Sequence, residues 1–162
     1  LAVSLAIKGK RVLIIDADLR HATLSDYVGH NKIGLTDYLS LRADAPNILP
    51  TPLMGYENLF VVPVGTESDN SIEFFENERL QTLLDHYRQQ FDYILIDCPP
   101  MNIIADSLII EQLADQIMIV LRVGVTNKNT IRELENRSNK KDISLIINSV
   151  SDLKQRYYYY KA

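Results

Sequence analysis

Short apolar runs alternate with longer amphipathic stretches along this chain. In the opening LAVSLAIKGK, Leu1 and Leu5, like Ala2 and Ala6, stand four residues apart on neighbouring parts of one face, which is the spacing of a helix. Gly9, after Lys8, is a natural residue to end it. No capping residue precedes Leu1, so the start of this helix is expected upstream. Val12 to Ile15 is apolar on both faces, as a strand inside a sheet would be. Leu35 to Leu41 has helical spacing, and Pro46, Pro50 and Pro52 then predict a loop. Leu59 to Pro63 reads as a second strand, followed by a polar, flexible stretch from Gly65 to Ser71. From Asn77, a possible N-cap, an amphipathic helix runs to about Gln90, with Leu80, Leu83, Leu84, Tyr87 and Phe91 as its apolar stripe. Tyr93 to Ile96 is a third strand. A helix follows from Asp106 to Leu113, then a strand from Ile117 to Val123, a helix from Thr126 to Arg137, and a fifth strand from Ile143 to Ile147. Strands separated by helices predict βα units, hence an α/β fold with a mainly parallel sheet flanked by helices. No internal repeat is present.

The ends of the strands carry the chemistry. LIIDADLR runs three apolar β-formers into Asp16, Asp18 and Arg20. A lone acid after a strand is most simply a helix cap or a solvated side chain. Two acids and a base after a buried strand point to function, because open parallel sheets bind ligands beyond the carboxyl ends of their strands. YILID ends in Asp97, so parallel strands would bring Asp16, Asp18 and Asp97 to one edge. Hard oxygen donors of this kind suit Mg²⁺. His21, His30 and His86 are scattered, and His21 is taken as a surface residue. Asp97 before Pro99 and Pro100 would also fit a sharp strand-end turn.

Composition narrows the setting. At 162 residues, 46% apolar and 23% charged, the chain is an ordinary globular one with a sizeable core. A net charge of −4 and no broad basic patch argue against nucleic acid as a partner. Cys98 is the only cysteine, which excludes an intrachain disulfide and points to a reducing, cytosolic setting. No apolar run approaches the roughly 20 residues of a membrane span, and no signal peptide is seen. The end, RYYYYKA, places four tyrosines in succession. One regular element cannot bury them all, so they read either as an exposed aromatic tail or partner-ordered edge, or as phosphate acceptors.

A nucleotide site of this layout normally has a glycine-rich loop with Lys and Ser/Thr. No GxxxxGK[ST] occurs here, and Gly9-Lys10 lies at a helix C-terminus, the wrong dipole end for phosphate. The expected place for the loop is just before Leu1.

These residues together resemble the catalytic domain of bacterial tyrosine kinases of the capsule and exopolysaccharide type. That family belongs to the deviant-Walker P-loop ATPases, with the chromosome-partitioning and division-site ATPases. LIIDADLR resembles the second Walker A-like motif and YILIDCPP the Walker B motif. GLTDYL (34–39), NSIEFF (70–75), RVGVT (122–126) and IIN (146–148) resemble further family stretches, and the tail resembles the terminal tyrosine cluster. Ser71 stands where the family usually has Pro, and Ala22 where a Pro often follows.

The resemblance implies a P-loop NTPase-like domain over 1–150 that lacks the first strand and phosphate loop, with a flexible tyrosine-cluster tail over 151–162. It implies ATP and Mg²⁺ as cofactors. Asp16 would be the general base toward the tyrosine hydroxyl, and Asp18 and Asp97 would hold Mg²⁺. Arg20 and Asn148 would bind nucleotide, with Asn148 near the adenine. Tyr157, Tyr158, Tyr159 and Tyr160 would accept phosphate from a neighbouring copy in a homo-oligomer. Extended at roughly 3.3 Å per residue, the segment after the last strand spans about 33 Å, which is compatible with reaching one. The implied function is an autokinase regulating surface polysaccharide synthesis and export. It would work at the inner face of the plasma membrane with a transmembrane polysaccharide co-polymerase as activator and a tyrosine phosphatase as counterpart. The rivals are a positioning-type ATPase switch and an inactive interaction module. The chain by itself is expected to bind Mg²⁺ weakly, because no phosphate loop completes the acidic site.

Overall fold

The computed structural model describes residues 1–19, 21–29, 33–41, 48, 50–66, 78–100, 106–127, 129–130 and 142–150, the side chains of 106–108 excepted. They fall in two compact units, Leu1–Leu113 and Ala114–Ala162.

In the first unit, helix α1 (Ala2–Ile7) leads into strand β1 (Val12–Asp16). The turn between them closes as the glycine predicts. Gly9 adopts φ +78°, its N–H donates to Ala6 O, and Lys10 N–H reaches back to Leu5 O. This paired bonding satisfies carbonyls that a helix end would otherwise leave open. A 3-10 turn (Ser25–Tyr27) and α2 (Leu35–Leu39) follow, then β2 (Thr51–Pro52), β3 (Leu59–Val62), α3 (Arg79–Arg88), β4 (Tyr93–Asp97) and α4 (Asp106–Leu113).

The sheet order is β2-β3-β1-β4. β1 lies parallel to β3 and to β4, with Ile15 opposite Val62 and Asp16 opposite Asp97. The mainly parallel sheet expected from the pattern is therefore present. β2 was not expected, since its residues lie in the proline-rich stretch read as a loop. It pairs antiparallel with β3, Pro52 opposite Phe60. A two-residue strand at the sheet edge tolerates Pro because its missing N–H need not serve a ladder.

Alternation along the strands splits the apolar residues between two faces. Leu13, Ile15 and Val62 pack with Leu35, Tyr38 and Leu39 of α2 and with Leu80, Leu83, Leu84 and Tyr87 of α3. Full burial of such side chains stabilises by about 1.5–3 kcal/mol each. Val12 and Leu59 face the other way, against Ala6 of α1. α3 runs from Arg79, with Glu78 at its N-cap, close to the predicted start. Asn77 lies outside the described residues.

In the second unit, β5 (Ile117–Arg122) and β6 (Ile143–Asn148) form a parallel pair, with Arg122 opposite Asn148. The RVGVT stretch is a closed turn. Gly124 takes φ +78°, Thr126 N–H donates to Arg122 O at 2.9 Å, and Arg122 N–H donates to Thr126 Oγ1 at 2.8 Å. Most of the helix expected over 126–137 lies outside the described residues, as does the tail over 151–162.

Candidate functional site

The parallel pairing of β1 and β4 brings the predicted acids to one end of the sheet. Asp16 and Asp97 are register partners, and Ala17 N–H donates to Asp97 O at 2.8 Å, extending the ladder into the turn. Asp18 follows two residues on. The three carboxylates differ in setting. Asp16 is fully buried at 0% exposure, the Asp18 side chain is 20% exposed, and Asp97 is exposed.

Asp16 is held on both oxygens. Its Oδ2 accepts from Ser25 N–H at 2.9 Å and from Ser25 Oγ–H at 2.8 Å. Among the described residues its Oδ1 accepts one long bond, 3.3 Å, from Asp18 N–H. Burial pushes the Asp16 carboxyl above the ordinary carboxylate value. The Ser25 and Asp18 hydrogen bonds work against that shift, and the charge of Asp18 adds to it. Asp97 is also raised, by partial burial of its carboxyl and then by the charges of Asp16 and Asp18.

Asp18 closes the turn after β1. Its Oδ1 accepts from His21 N–H at 3.2 Å, and Ala22 N–H donates to Asp18 O. His21 is a surface residue, as expected, at 71% exposure, yet its Nδ1 stands 3.2 Å from Asp18 Oδ2. The capping and functional readings of this acid pair are thus both available to Asp18 at once.

The loop after β3 frames the site and was missed from sequence. Val64 N–H donates to Ser25 Oγ at 2.8 Å, while Val64 O accepts from Thr36 N–H and Thr36 Oγ1. Asp37, buried on α2, accepts from Gly34 N–H at 2.9 Å, Thr66 N–H at 3.1 Å and Thr66 Oγ1 at 2.6 Å. The GLTDYL stretch therefore owes its Gly and Asp to packing against residues 63–66. A Cβ on Gly34 would overlap Pro63 O and Gly65 N. An acid three residues after Gly34, at the third position of α2, was the available signal for this reach-back. Nothing in the spacing marked Ser25.

Of the other predicted residues, Asn148 ends β6 in the second unit, where its Oδ1 accepts from Ser149 N–H at 2.7 Å. Arg20 and Tyr157 to Tyr160 lie outside the described residues. Cys98 is half-buried, and burial with the charges of Asp97 and Asp18 pushes its thiol up to about 12, which removes it as a nucleophile at neutral pH.

The donor set fits Mg²⁺ brought with a polyphosphate. Asp18 and Asp97 offer hard oxygens at one sheet edge, and a cation would relieve the repulsion that raises Asp97. Among the described residues, no group of three or more His, Cys, Asp or Glu could hold a metal alone. Mg²⁺ commonly takes one or two carboxylates and completes its shell with phosphate and water.

A family model described as an AAA domain matches residues 1–145. The tyrosine-protein kinase CpsD of Streptococcus agalactiae serotype Ia is 34% identical over 158 residues, covering 94% of this chain and 67% of that protein. The chain belongs to the bacterial tyrosine-kinase family of AAA domains. Among solved structures, the BceF tyrosine kinase domain is 31% identical, with a TM-score of 0.76 over 90% of this chain and 59% of that one. The kinase domain of the Escherichia coli tyrosine kinase ETK shares the fold at 23% identity, with a TM-score of 0.79 over 98% of this chain and 64% of that one. The chain thus spans about two-thirds or less of these kinase-family proteins. The α/β, mainly parallel architecture and the P-loop ATPase-like family, with the nucleotide binding that it implies, agree with the expectation from LIIDADLR and YILIDCPP. Among the described residues no helix is long and apolar enough to cross a membrane.

Proposed function

We propose that this chain forms most of the catalytic domain of a protein-tyrosine autokinase that regulates capsular or exopolysaccharide synthesis and export. The observation that carries the reading is the β1–β4 pairing, which gathers Asp16, Asp18 and Asp97 at one sheet end in a family of tyrosine kinases. In this reading Asp18 and Asp97 hold Mg²⁺, Asp16 receives the proton of the attacking tyrosine hydroxyl, and Arg20 and Asn148 contact the nucleotide. Mg-ATP, when bound, supplies the phosphoryl group and the cation that spreads its charge in transfer. Tyr157 to Tyr160 of one copy accept phosphate at the site of another. Each phosphate adds roughly −1.5 to −2 charge, so multiply phosphorylated tails repel and loosen a homo-oligomer. A transmembrane polysaccharide co-polymerase is the activator, a tyrosine phosphatase resets the tail, and the domain works at the cytoplasmic membrane face.

The test uses the whole encoded polypeptide with Mg-ATP and maps phosphate by mass spectrometry. Phosphate on Tyr157 to Tyr160, lost in Asp16→Asn, is expected. ATP turnover without phosphotyrosine would replace this reading with a positioning-type ATPase switch, and no turnover would replace it with an inactive interaction module.

A further inference from the structure

Among the described residues, the short hydrogen bonds to the buried acid of the site all fall on one of its two oxygens. An Asp carboxylate turns easily about its last torsion unless something holds it. Here Ser25 places two donors, its N–H and its Oγ–H, on Oδ2 of Asp16. The direction of the hydroxyl hydrogen is not free. Ser25 Oγ already accepts Val64 N–H, so its own hydrogen is left for the carboxylate. Val64 is anchored in turn, through its carbonyl, to the amide and hydroxyl of Thr36 at the start of α2. Ser25 itself is 2% exposed. The chain of bonds from Thr36 to Asp16 is continuous. The opposite oxygen, Oδ1, has one long bond from a backbone amide.

We propose that Ser25 is the positioning residue of the acid site: it pins Oδ2 of Asp16 and so leaves Oδ1 as the oxygen that takes the acceptor's proton. This rests on the kinase reading above. In the step concerned, the phenol oxygen forms a bond to the γ-phosphorus of the nucleoside triphosphate, the bond from that phosphorus to the bridging oxygen breaks, and the nucleoside diphosphate leaves with the electron pair. The phenol proton goes to Oδ1. Ser25 acts through Asp16 and is given no bond to phosphate or tyrosine in this step. Its effect is on the orientation of Asp16, and misplacement of a reacting group by about 1 Å lowers a rate by up to roughly 100-fold.

The test uses the whole encoded polypeptide carrying Ser25→Ala, and Ser25→Thr, which restores a hydroxyl. Ser25→Cys keeps the volume with a weaker donor and takes the place of the alanine variant if that one does not fold. Phosphotyrosine formation is measured against Mg-ATP concentration, and exchange of the Val64 amide hydrogen is followed in the same proteins. The expected result is kcat lowered about tenfold or more in Ser25→Ala, KM for Mg-ATP within about twofold of the parent, recovery of most of kcat in Ser25→Thr, and faster Val64 exchange only where the hydroxyl is gone. A Ser25→Ala protein that loses Val64 protection but keeps kcat would show a structural strut and overturn the assignment while leaving the kinase reading intact. A parent protein that makes no phosphotyrosine would overturn the kinase reading and, with it, the role given to Oδ1.

Discussion

Replacing Asp37 by alanine should destabilise the first unit more than any surface change in it. The Asp37 carboxylate is 6% exposed as a residue and accepts Gly34 N–H, Thr66 N–H and Thr66 Oγ1. A hydrogen bond to a charged group contributes about 1.5–3 kcal/mol, and a buried donor left without its acceptor costs about 1–3 kcal/mol. The three bonds share one carboxylate and are not additive, so the expected loss for Asp37→Ala is about 3–5 kcal/mol. Against a typical total of about 5–15 kcal/mol, that is a large fraction. For a domain of this size it lowers Tm by roughly 6–20 °C. Asp37→Asn separates charge from geometry. Its amide oxygen can still accept the two backbone N–H groups and its NH₂ can donate to the Thr66 hydroxyl, so a loss of about 1 kcal/mol is expected. Urea unfolding followed by circular dichroism and fluorescence measures both. Because Val64 stands in the same loop, its amide should also exchange faster in Asp37→Ala. A loss below about 1 kcal/mol for Asp37→Ala, with an unchanged m-value, would show that water or rearrangement satisfies these donors and would refute the reasoning.

Three further outcomes follow from the same geometry. Asp97→Asn should raise Tm at neutral pH, because it removes a charge that is partly desolvated and is repelled by Asp16 and Asp18. The folded-state pKa of Asp97 is raised, so the wild type regains stability as pH falls through that value toward 3.8. The advantage of the variant should shrink over that window, and an advantage growing toward acid in paired melting curves would reverse the sign assigned here. Gly34→Ala should destabilise by about 1–3 kcal/mol, the usual range for overpacking, since the new Cβ would stand 2.6 Å from Val64 C and closer still to Pro63 O. Chemical unfolding would show an effect near zero if residues 63–66 can move aside. Cys98, raised to about 12, should react with iodoacetamide far more slowly at pH 8 than a free thiol of ordinary pKa, and modification timed by mass spectrometry at the rate of free cysteine would contradict that setting.

How much of this was legible beforehand follows from the range of the interactions. Periodicity within a few residues is local, and it located α1, β1, β3, α3, β4, α4, β5 and β6 with end shifts of a residue or two. Gly9 declared its turn because only a left-handed φ closes that helix end. LIIDADLR and YILID revealed that acids end apolar strands, since an apolar run meeting carboxylates is a contrast within eight residues; of the two strands only β1 is buried, while β4 is half-exposed. β2 was hidden because its pairing is made with β3, and its prolines carry a local signal that points the other way.

The order of the strands was decided only by tertiary structure, as was the register that sets Asp16 against Asp97. The three carboxylates look alike in sequence. Folding buries one completely, leaves one partly covered beside His21, and keeps the third open. The buried one is bonded by Ser25, nine residues on, and Ser25 is bonded in turn by Val64 from the loop after β3. Sequence by itself determined that an acidic site stands at the end of a parallel sheet. Which oxygen of Asp16 is held depends on hydrogen bonds that link β1, the Ser25 turn and the loop after β3, and only the packed structure brings those donors within reach.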